Sequence, residues 1–470
     1  MEAEPLLLAA ATVPGTKLGG GEEESSAVGE VKKQLYLAGP LVAGFLLQNM
    51  VQMVSVMFVG HLGELALASA SLATSFAGVT GFSLLAGMAC SLDTLCGQAF
   101  GARQHHMLGI YKQRAMVVLA LVSVPVAAVW AYTGEILTWC GQDPEIAAGA
   151  GSYIRCMIPA LFVYGALQCH VRFLQTQNLV VPVMLSSGAT ALCHPAVCWL
   201  LVRGLGMGRN GAALANAISY LSPTSPSWPS TSVSRRPASP PGRASPGKRS
   251  AVSLSSSSSP CRPPSCMEWW SFELLVLLSG LLPNPKLETA VLSICLNTNG
   301  FAFMVPLGLG GAISTRVSNE LGAGRPGAAR LATRVVVVLA LAVGVSEGLV
   351  MVLVRNLWGY AYCNEEEVAR YTARMMPILA VSILFDGLQC VLSGVVRGCG
   401  RQKVGAFINL AAYYLAGIPS AFGLWFGIMC GLVVQMLLLL SITLFTNWNK
   451  EALKAKDRVF SSVLPVDMAT

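Results

Sequence analysis

Thr94-Leu95-Cys96-Gly97-Gln98-Ala99-Phe100-Gly101-Ala102 returns in altered form as Thr315-Arg316-Val317-Ser318-Asn319-Glu320-Leu321-Gly322-Ala323. The two copies start 315 − 94 = 221 positions apart. A second pair, Leu167-Gln168-Cys169 and Leu388-Gln389-Cys390, is also separated by 388 − 167 = 221. Two independent matches at one offset mark an internal duplication. Both copies of the longer motif precede a basic connector, Arg103/Lys112/Arg114 in one half and Arg325/Arg330/Arg334 in the other. The halves therefore share one orientation, as in a parallel repeat about an axis along a membrane normal.

That a membrane is involved follows from composition. The chain has 470 residues, 54% hydrophobic and only 11% charged, against about 25% charged in soluble domains. Its roughly 250 apolar residues supply about a dozen helices of about 20 residues each, with little left for a soluble core. A cytosolic enzyme, a nucleic-acid binder and a secreted disulfide scaffold are all disfavoured. The net charge of +8 comes from short Lys/Arg clusters between apolar runs, and none of the 14 Cys shows paired C-x-x-C spacing. No cleavable signal peptide is indicated. Glu2-Ala3-Glu4-Pro5-Leu6-Leu7 resembles an acidic dileucine sorting signal, which suits an internal membrane such as a vacuole.

Runs of spanning length lie near 35–59, 66–95, 115–134, 153–173, 179–202, 268–282 (short), 289–313, 331–354, 374–396 and 404–445. Basic and acidic or mixed connectors alternate between them. Because positive charge marks the cytoplasmic side, both termini are expected there and the span number is even. Six spans per half give twelve. The expected fold is an all-α polytopic membrane protein of two six-helix lobes, with 10–11 spans intact in this chain. Its divisions are a cytoplasmic tail 1–33, an N-lobe 34–221 with a truncated span six, an aberrant Ser/Pro/Arg-rich linker 222–265, a C-lobe 266–446 with shortened spans eleven and twelve, and a cytoplasmic tail 447–470.

Several stretches resemble signatures of one family. Glu268-Trp269-Trp270-Ser271-Phe272-Glu273, continuing to Pro283-Asn284-Pro285, looks like the seventh span of plant-type multidrug and toxic compound extrusion (MATE) transporters. Leu95 to Ala102, Arg316 to Gly324 and Val396-Arg397-Gly398-Cys399-Gly400-Arg401-Gln402-Lys403 are similar to further signatures of that family, in family order. The resemblance covers roughly 30–220 and 266–450. It implies cation-coupled, usually proton-coupled, export of organic compounds by alternating access between two lobes.

A carboxylate inside hydrocarbon costs several kcal/mol unless neutralised or solvated, so it marks a functional candidate. Asp93, Glu268, Glu273, Glu347 and Asp386 qualify. A carboxyl withdrawn from water binds a proton more readily and, when ionised, attracts an organic cation. Proton and cargo then compete for one charge. Glu268 opens the seventh span and Asp386 lies mid-run in the tenth; the family resemblance implies that these two are the proton sites of the C-lobe cavity. Glu273, five residues beyond Glu268, points elsewhere at about 100° per residue. Asp93 reads as a coupling group or an interfacial cap, and Glu347 as functional or as a packing group. Gln48, Asn49, Asn297 and Asn299 are cavity-lining candidates or ordinary interhelical hydrogen-bonders. His170 and His194 read as satisfied packing groups. No metal-ligand spacing, Walker A loop or nucleophile elbow appears, so no cofactor and no enzymatic or ATP-driven chemistry is expected. The partners expected are protons, the bilayer and a small organic compound of the cation, alkaloid or flavonoid class, moved by a monomer in a vacuolar or plasma membrane. The competing readings are a related lipid or oligosaccharide flippase and a non-transporting, defective product.

The last reading comes from one tract. After Ile218-Ser219-Tyr220 the composition changes abruptly to Ser, Pro, Arg, Thr and Gly, leaving about 11 apolar residues (211–221) where span six needs about 20. Codons exist for Ser222 to Pro263 that spell membrane sequence when read one nucleotide earlier; the stretch 222–232 becomes A-N-V-S-F-L-A-L-Y-V-R. A frameshifted segment at 222–265 is therefore expected, with a poorly folding, weakly transporting chain as its consequence.

Overall fold

The structure is a computed structural model describing residues 26–221, 285–361, 366–412 and 424–461. The tract 222–265 and the seventh span, with Glu268 and Glu273, lie outside these residues. Among the described residues the regular elements are helices: α1 (Ala27–Gly60), α2 (Leu65–Gly101), α3 (His105–Ala131), α4 (Thr133–Trp139), α5 (Pro144–Thr176), α6 (Val181–Gly204) and α7 (Gly208–Leu221). After the gap come α8 (Pro285–Gly322), α9 (Pro326–Trp358), α10 (Glu366–Gly398), α11 (Gln402–Ala411), α12 (Leu424–Leu444) and α13 (Trp448–Ser461).

Eight of these, α1, α2, α3, α5, α6, α8, α9 and α10, are long and apolar enough to cross a membrane. Part of α12 meets that standard together with α13, which turns away from it by 86°. The order matches the spans read from sequence. Positions six and eleven hold α7 and α11, of 14 and 10 residues. At 1.5 Å per residue these measure about 21 and 15 Å, short of a hydrocarbon core of about 30 Å. Span six is thus present as a helix up to Leu221, and the residues expected to end it lie outside the described ones.

Local chemistry explains the boundaries. Pro144 enters α5 at its first turn, where a missing N–H costs nothing, and the Asp143 carboxylate caps the helix by accepting from Glu145 N (2.8 Å) and Ile146 N (3.3 Å). α2 and α8 end alike: Arg103 and Gly324, again 221 apart, both take positive φ, +61° and +72°. Glycine adopts that conformation without strain and arginine does not. The outer faces remain apolar. Leu121 on α3 is 60% exposed and Leu353 on α9 is 73% exposed, as lipid-facing side chains must be.

The lobes meet through the duplicated motif itself. A Cβ on Gly101 would lie 2.8 Å from the Asn319 carbonyl carbon and 3.0 Å from Ala323 N, while one on Gly322 would lie 2.7 Å from Gln98 Cα. The two glycines are equivalents in the repeat, and their absent side chains let α2 and α8 cross backbone against backbone. Neighbouring bonds repeat the symmetry. Thr94 donates to Arg397 O (2.6 Å) and Gln98 to Gly398 O (3.3 Å), joining α2 to α10. Gln175 donates to Gly311 O (3.0 Å) and Thr315 Oγ1 (3.3 Å), joining α5 to α8. Near the chain start Arg316 donates to both Glu30 oxygens (3.0 and 2.9 Å), and Gln34 to Ala332 O (2.8 Å). These bonds occupy the half of the molecule that carries Arg103 and Arg325, the end that the charge bias predicts to face the cytoplasm.

Candidate functional site

Asp386 sits at the middle of α10, 3% exposed. Small residues bring it there. Gly387 accepts Pro306 of α8 against its backbone, Gly394 faces the Gly310 carbonyl oxygen, and Gly398 faces Ser314 O and Val317. α8 and α10 therefore pack closely along their length, and Asn299 of α8 comes within reach of the carboxylate. Asn299 Nδ2 donates to Asp386 Oδ2 at 3.4 Å, and Gln389 Nε2, one turn along the same face, donates to Oδ1 at 2.9 Å. From there a chain of amides continues: Gln435 of α12 donates to Gln389 Oε1 (2.8 Å) and to Asn409 Oδ1 of α11 (2.9 Å). A cavity of about 60 Å³ adjoins this chain toward the Arg397 end of α10, lined by Gln389, Ser393, Arg397, Gln402 and Asn409 with Phe303.

The hydrogen bonds to this carboxylate come from neutral amides, with no cation among the partners described. Such a group is not locked in its ionised form by a salt bridge, and its two charge states differ by one unit of charge in a water-poor setting. That is the requirement for reversible proton or cation binding.

The other candidates fare differently. Asn299 joins Asp386, whereas Asn297 is exposed on α8, Gln48 and Asn49 are half-buried on α1, and Glu347 is half-buried on α9 with a buried Oε2 that finds no hydrogen-bond partner. Asp93 is 0% exposed in the N-lobe, where Arg172 of α5 reaches its Oδ2 at 3.3 Å. The sequence reading gave Asp93 no partner because Arg172 lies 79 residues away; the ion pair sets Asp93 apart from Asp386, which has no cation among its described partners. Glu268 and Glu273 fall outside the described residues.

A second polar centre lies in the N-lobe and was read only in part. His194 is 1% exposed; its Nε2 meets Ser55 Oγ at 2.8 Å and its Nδ1 meets Ser219 Oγ at 2.6 Å, while Ser55 donates to Asn216 Oδ1 at 2.8 Å. Nearby, Gln52 donates to Tyr220 of α7. His194 is thus a satisfied packing group, and the cluster around it is neutral. Sequence reasoning also missed Gln389, Asn409 and Gln435. The available signal was polar amides inside apolar runs, Gln389 three residues from Asp386.

Comparison with known proteins bears on this arrangement. The MatE family model matches residues 40–200 and 263–423, two stretches that fall one in each half of the repeat. "Protein DETOXIFICATION 16" of Arabidopsis thaliana is 54% identical over 471 residues, covering 95% of this chain and 94% of its own. "Protein DETOXIFICATION 17" of the same plant is 51% identical over 457 residues, covering 92% and 94%. Among solved structures, that of the eukaryotic MATE transporter AtDTX14 superposes with a TM-score of 0.80 at 42% identity, over 92% of this chain and 99% of that one. The Vibrio cholerae MATE transporter VcmN in its bent form shares the fold alone, with a TM-score of 0.76 at 16% identity, over 92% of this chain and 99% of that one. The two apolar halves, the crossing motif and these matches agree: the chain belongs to the MatE family of integral membrane efflux transporters.

Proposed function

We propose that this family member exports a small organic compound of the cation, alkaloid or flavonoid class in exchange for protons, by alternating access of the cleft between its lobes, as a monomer in a vacuolar or plasma membrane. The observation that carries the reading is Asp386, buried within the long apolar helix α10 with hydrogen bonds from neutral amides. Glu268 is its proposed partner in coupling. A proton bound at Asp386 removes the charge that holds cargo, and cargo leaving makes room for the proton. The N-lobe centre around His194 offers neutral hydrogen-bonding groups and no fixed charge among the partners described, which does not suit a second coupling group. Efflux of a fluorescent organic cation from vesicles under imposed pH and sodium gradients tests the proposal. Asp386→Asn and Glu268→Gln should each abolish pH-driven efflux; undiminished pumping by the double variant refutes it.

A second reading, that this chain transports weakly while its intact relatives export, is favoured by the sequence after Tyr220, where Ser, Pro and Arg replace the apolar residues that a sixth span of about 20 needs. We read 222–265 as a shifted frame. Sequencing the transcript decides this, since codons with no membrane-like alternative frame would exclude it.

A further inference from the structure

The helix α13 lies beneath the seam between the lobes and touches both. Ala455 sits within the C-lobe core with Leu321 and Ala329, and Trp448 and Ala452 pack against it. Charge fixes it further. Glu451, buried, accepts from Arg401 of the C-lobe at 2.6 Å and from Lys454 at 3.0 Å, with Arg458 at 4.0 Å. Burial raises the affinity of this carboxyl for a proton, but the bonds from Arg401 and Lys454 outweigh it and hold its pKa below the ordinary glutamate value, so it is ionised at neutral pH.

Arg458 reaches past the C-lobe. Its Nη2 donates to Cys399 O of the C-lobe at 3.0 Å, and its Nη1 donates to Gln98 Oε1 of the N-lobe at 2.7 Å. Gly400, with φ +74°, leaves the room that the guanidinium fills, because a Cβ there would lie 2.9 Å from the Arg458 guanidinium carbon. Gln98 is the motif residue at the crossing, and its own amide already donates across the seam to Gly398 O. One N-lobe side chain is thus held from two directions by the C-lobe and its terminal helix.

We propose that Arg458 is a positioning residue of the transport cycle: through Gln98 it fastens the cytoplasmic mouth shut, and this bond breaks each time that mouth opens. The inference rests on alternating access, and its test uses a readout that needs no transport. Cys90 of α2 is buried at the seam, with its carbonyl accepting from Gln402 (3.1 Å) and its sulfur facing Arg397 Nη1 (3.7 Å), both from the C-lobe. Opening the cytoplasmic mouth uncovers it. In the full chain in nanodiscs, labelling of Cys90 by a membrane-impermeant maleimide is followed by peptide mass mapping. Arg458→Met should speed Cys90 labelling by about tenfold, the factor typical of one charge-assisted hydrogen bond, and Gln98→Met, which also loses the bond to Gly398 O, by at least as much. The double variant should go no faster than Gln98→Met alone. Arg458→Lys, which keeps a donor, should retain much of the protection, and Lys456→Gln, an exposed charge on the same helix, should change nothing. Cys90 labelling in Arg458→Met equal to that in Lys456→Gln overturns the proposal, as do independent, multiplying effects of the two Met variants. So does simultaneous labelling of Cys169, buried in the N-lobe core, because that pattern reports unfolding. If transport coupling at Asp386 fails while the Cys90 pattern holds, the fastening stands and only the coupling falls.

Discussion

Gly101→Ala adds one methyl group where two backbones cross. The new Cβ would stand 2.8 Å from the Asn319 carbonyl carbon, about 0.6 Å inside the 3.4 Å at which ordinary contact begins, and closer still to the attached oxygen. Neither atom is the end of a flexible side chain, so α2 and α8 must separate. Forcing a methyl group into a closed contact costs about 1–3 kcal/mol. That cost falls only on the state in which the cytoplasmic ends touch, because the open state lacks the contact. The closed-to-open ratio therefore drops by roughly 5- to 150-fold. The helix-propensity gain of alanine over glycine is common to both states and cancels. Gly322→Ala should do the same from the other side, since its Cβ meets Gln98 Cα at 2.7 Å. The pair should not add fully, because one methyl group already parts the helices. Gly109→Ala and Gly327→Ala, at the same membrane end with nothing within 4 Å of a Cβ, are the controls. Cytoplasmic labelling of Cys90 reads the equilibrium directly, and vesicle efflux reads its effect on turnover. Labelling in Gly101→Ala no faster than in Gly109→Ala would show that the crossing does not close the cytoplasmic side.

Further expectations concern single groups. Removing one partner of the buried Arg172–Asp93 pair, by Asp93→Asn or Arg172→Met, should destabilise the N-lobe by about 3–5 kcal/mol, with much of it regained when both are replaced; thermal unfolding in detergent measures this. Glu451 has a folded pKa below its unfolded value, so its contribution to α13 docking is fully present above the unfolded value and is lost as pH falls through the folded one. Protease protection of the terminal helix should accordingly be flat from about pH 8 to pH 6 and fall only in acid below the ordinary glutamate range, whereas Glu451→Gln should lower it at every neutral pH. Restoring a full-length span six and the connector before α12 should raise the yield of folded protein several-fold by size-exclusion profile; equal profiles for the given and restored chains would count against the truncation reading.

The helical class, the duplication and the place of each long span were legible because each is written in the chain at fixed spacing: apolar runs of about 20 residues, and one offset of 221 found twice. The motif Gly97 to Gly101 was visible as a repeat, but not as the point where the repeats touch. Nothing in the local sequence says that residue 101 meets residue 319. The same holds for the site. Asp386 stood out because a charge in an apolar run is improbable without a use, yet its partners Asn299 and Gln389, and Gln435 and Asn409 beyond them, are ordinary amides, brought together from four helices by packing. Asp93 shows the limit from the other side. It carried the same signal as Asp386, and only the tertiary position of Arg172 separates a neutralised pair from a group with no cation beside it.

The duplication also bears on why the proposed coupling carboxylate, Asp386, has no counterpart in the N-lobe. The repeat preserves Gly101 with Gly322, Thr94 with Thr315, and the positive-φ turn at 103 with that at 324, all at the mouth where two similar surfaces must fit. At the coupling position it preserves nothing: the counterpart of Asp386, 221 residues earlier, is Gly165, whose missing side chain faces Leu119 and Leu85. A gate formed by two halves gains from symmetry, because each half is the other's socket. A proton carrier does not, since a carboxylate copied to the Gly165 position would face Leu119 and Leu85 and carry a desolvation cost that no amide there offsets. Placing an acid at the N-lobe position by Gly165→Asp should therefore leave mouth closure, read at Cys90, unchanged while lowering the yield of folded protein. A variant that folded normally and doubled the protons exchanged per cargo would show that the N-lobe tolerates a charge its sequence has not kept.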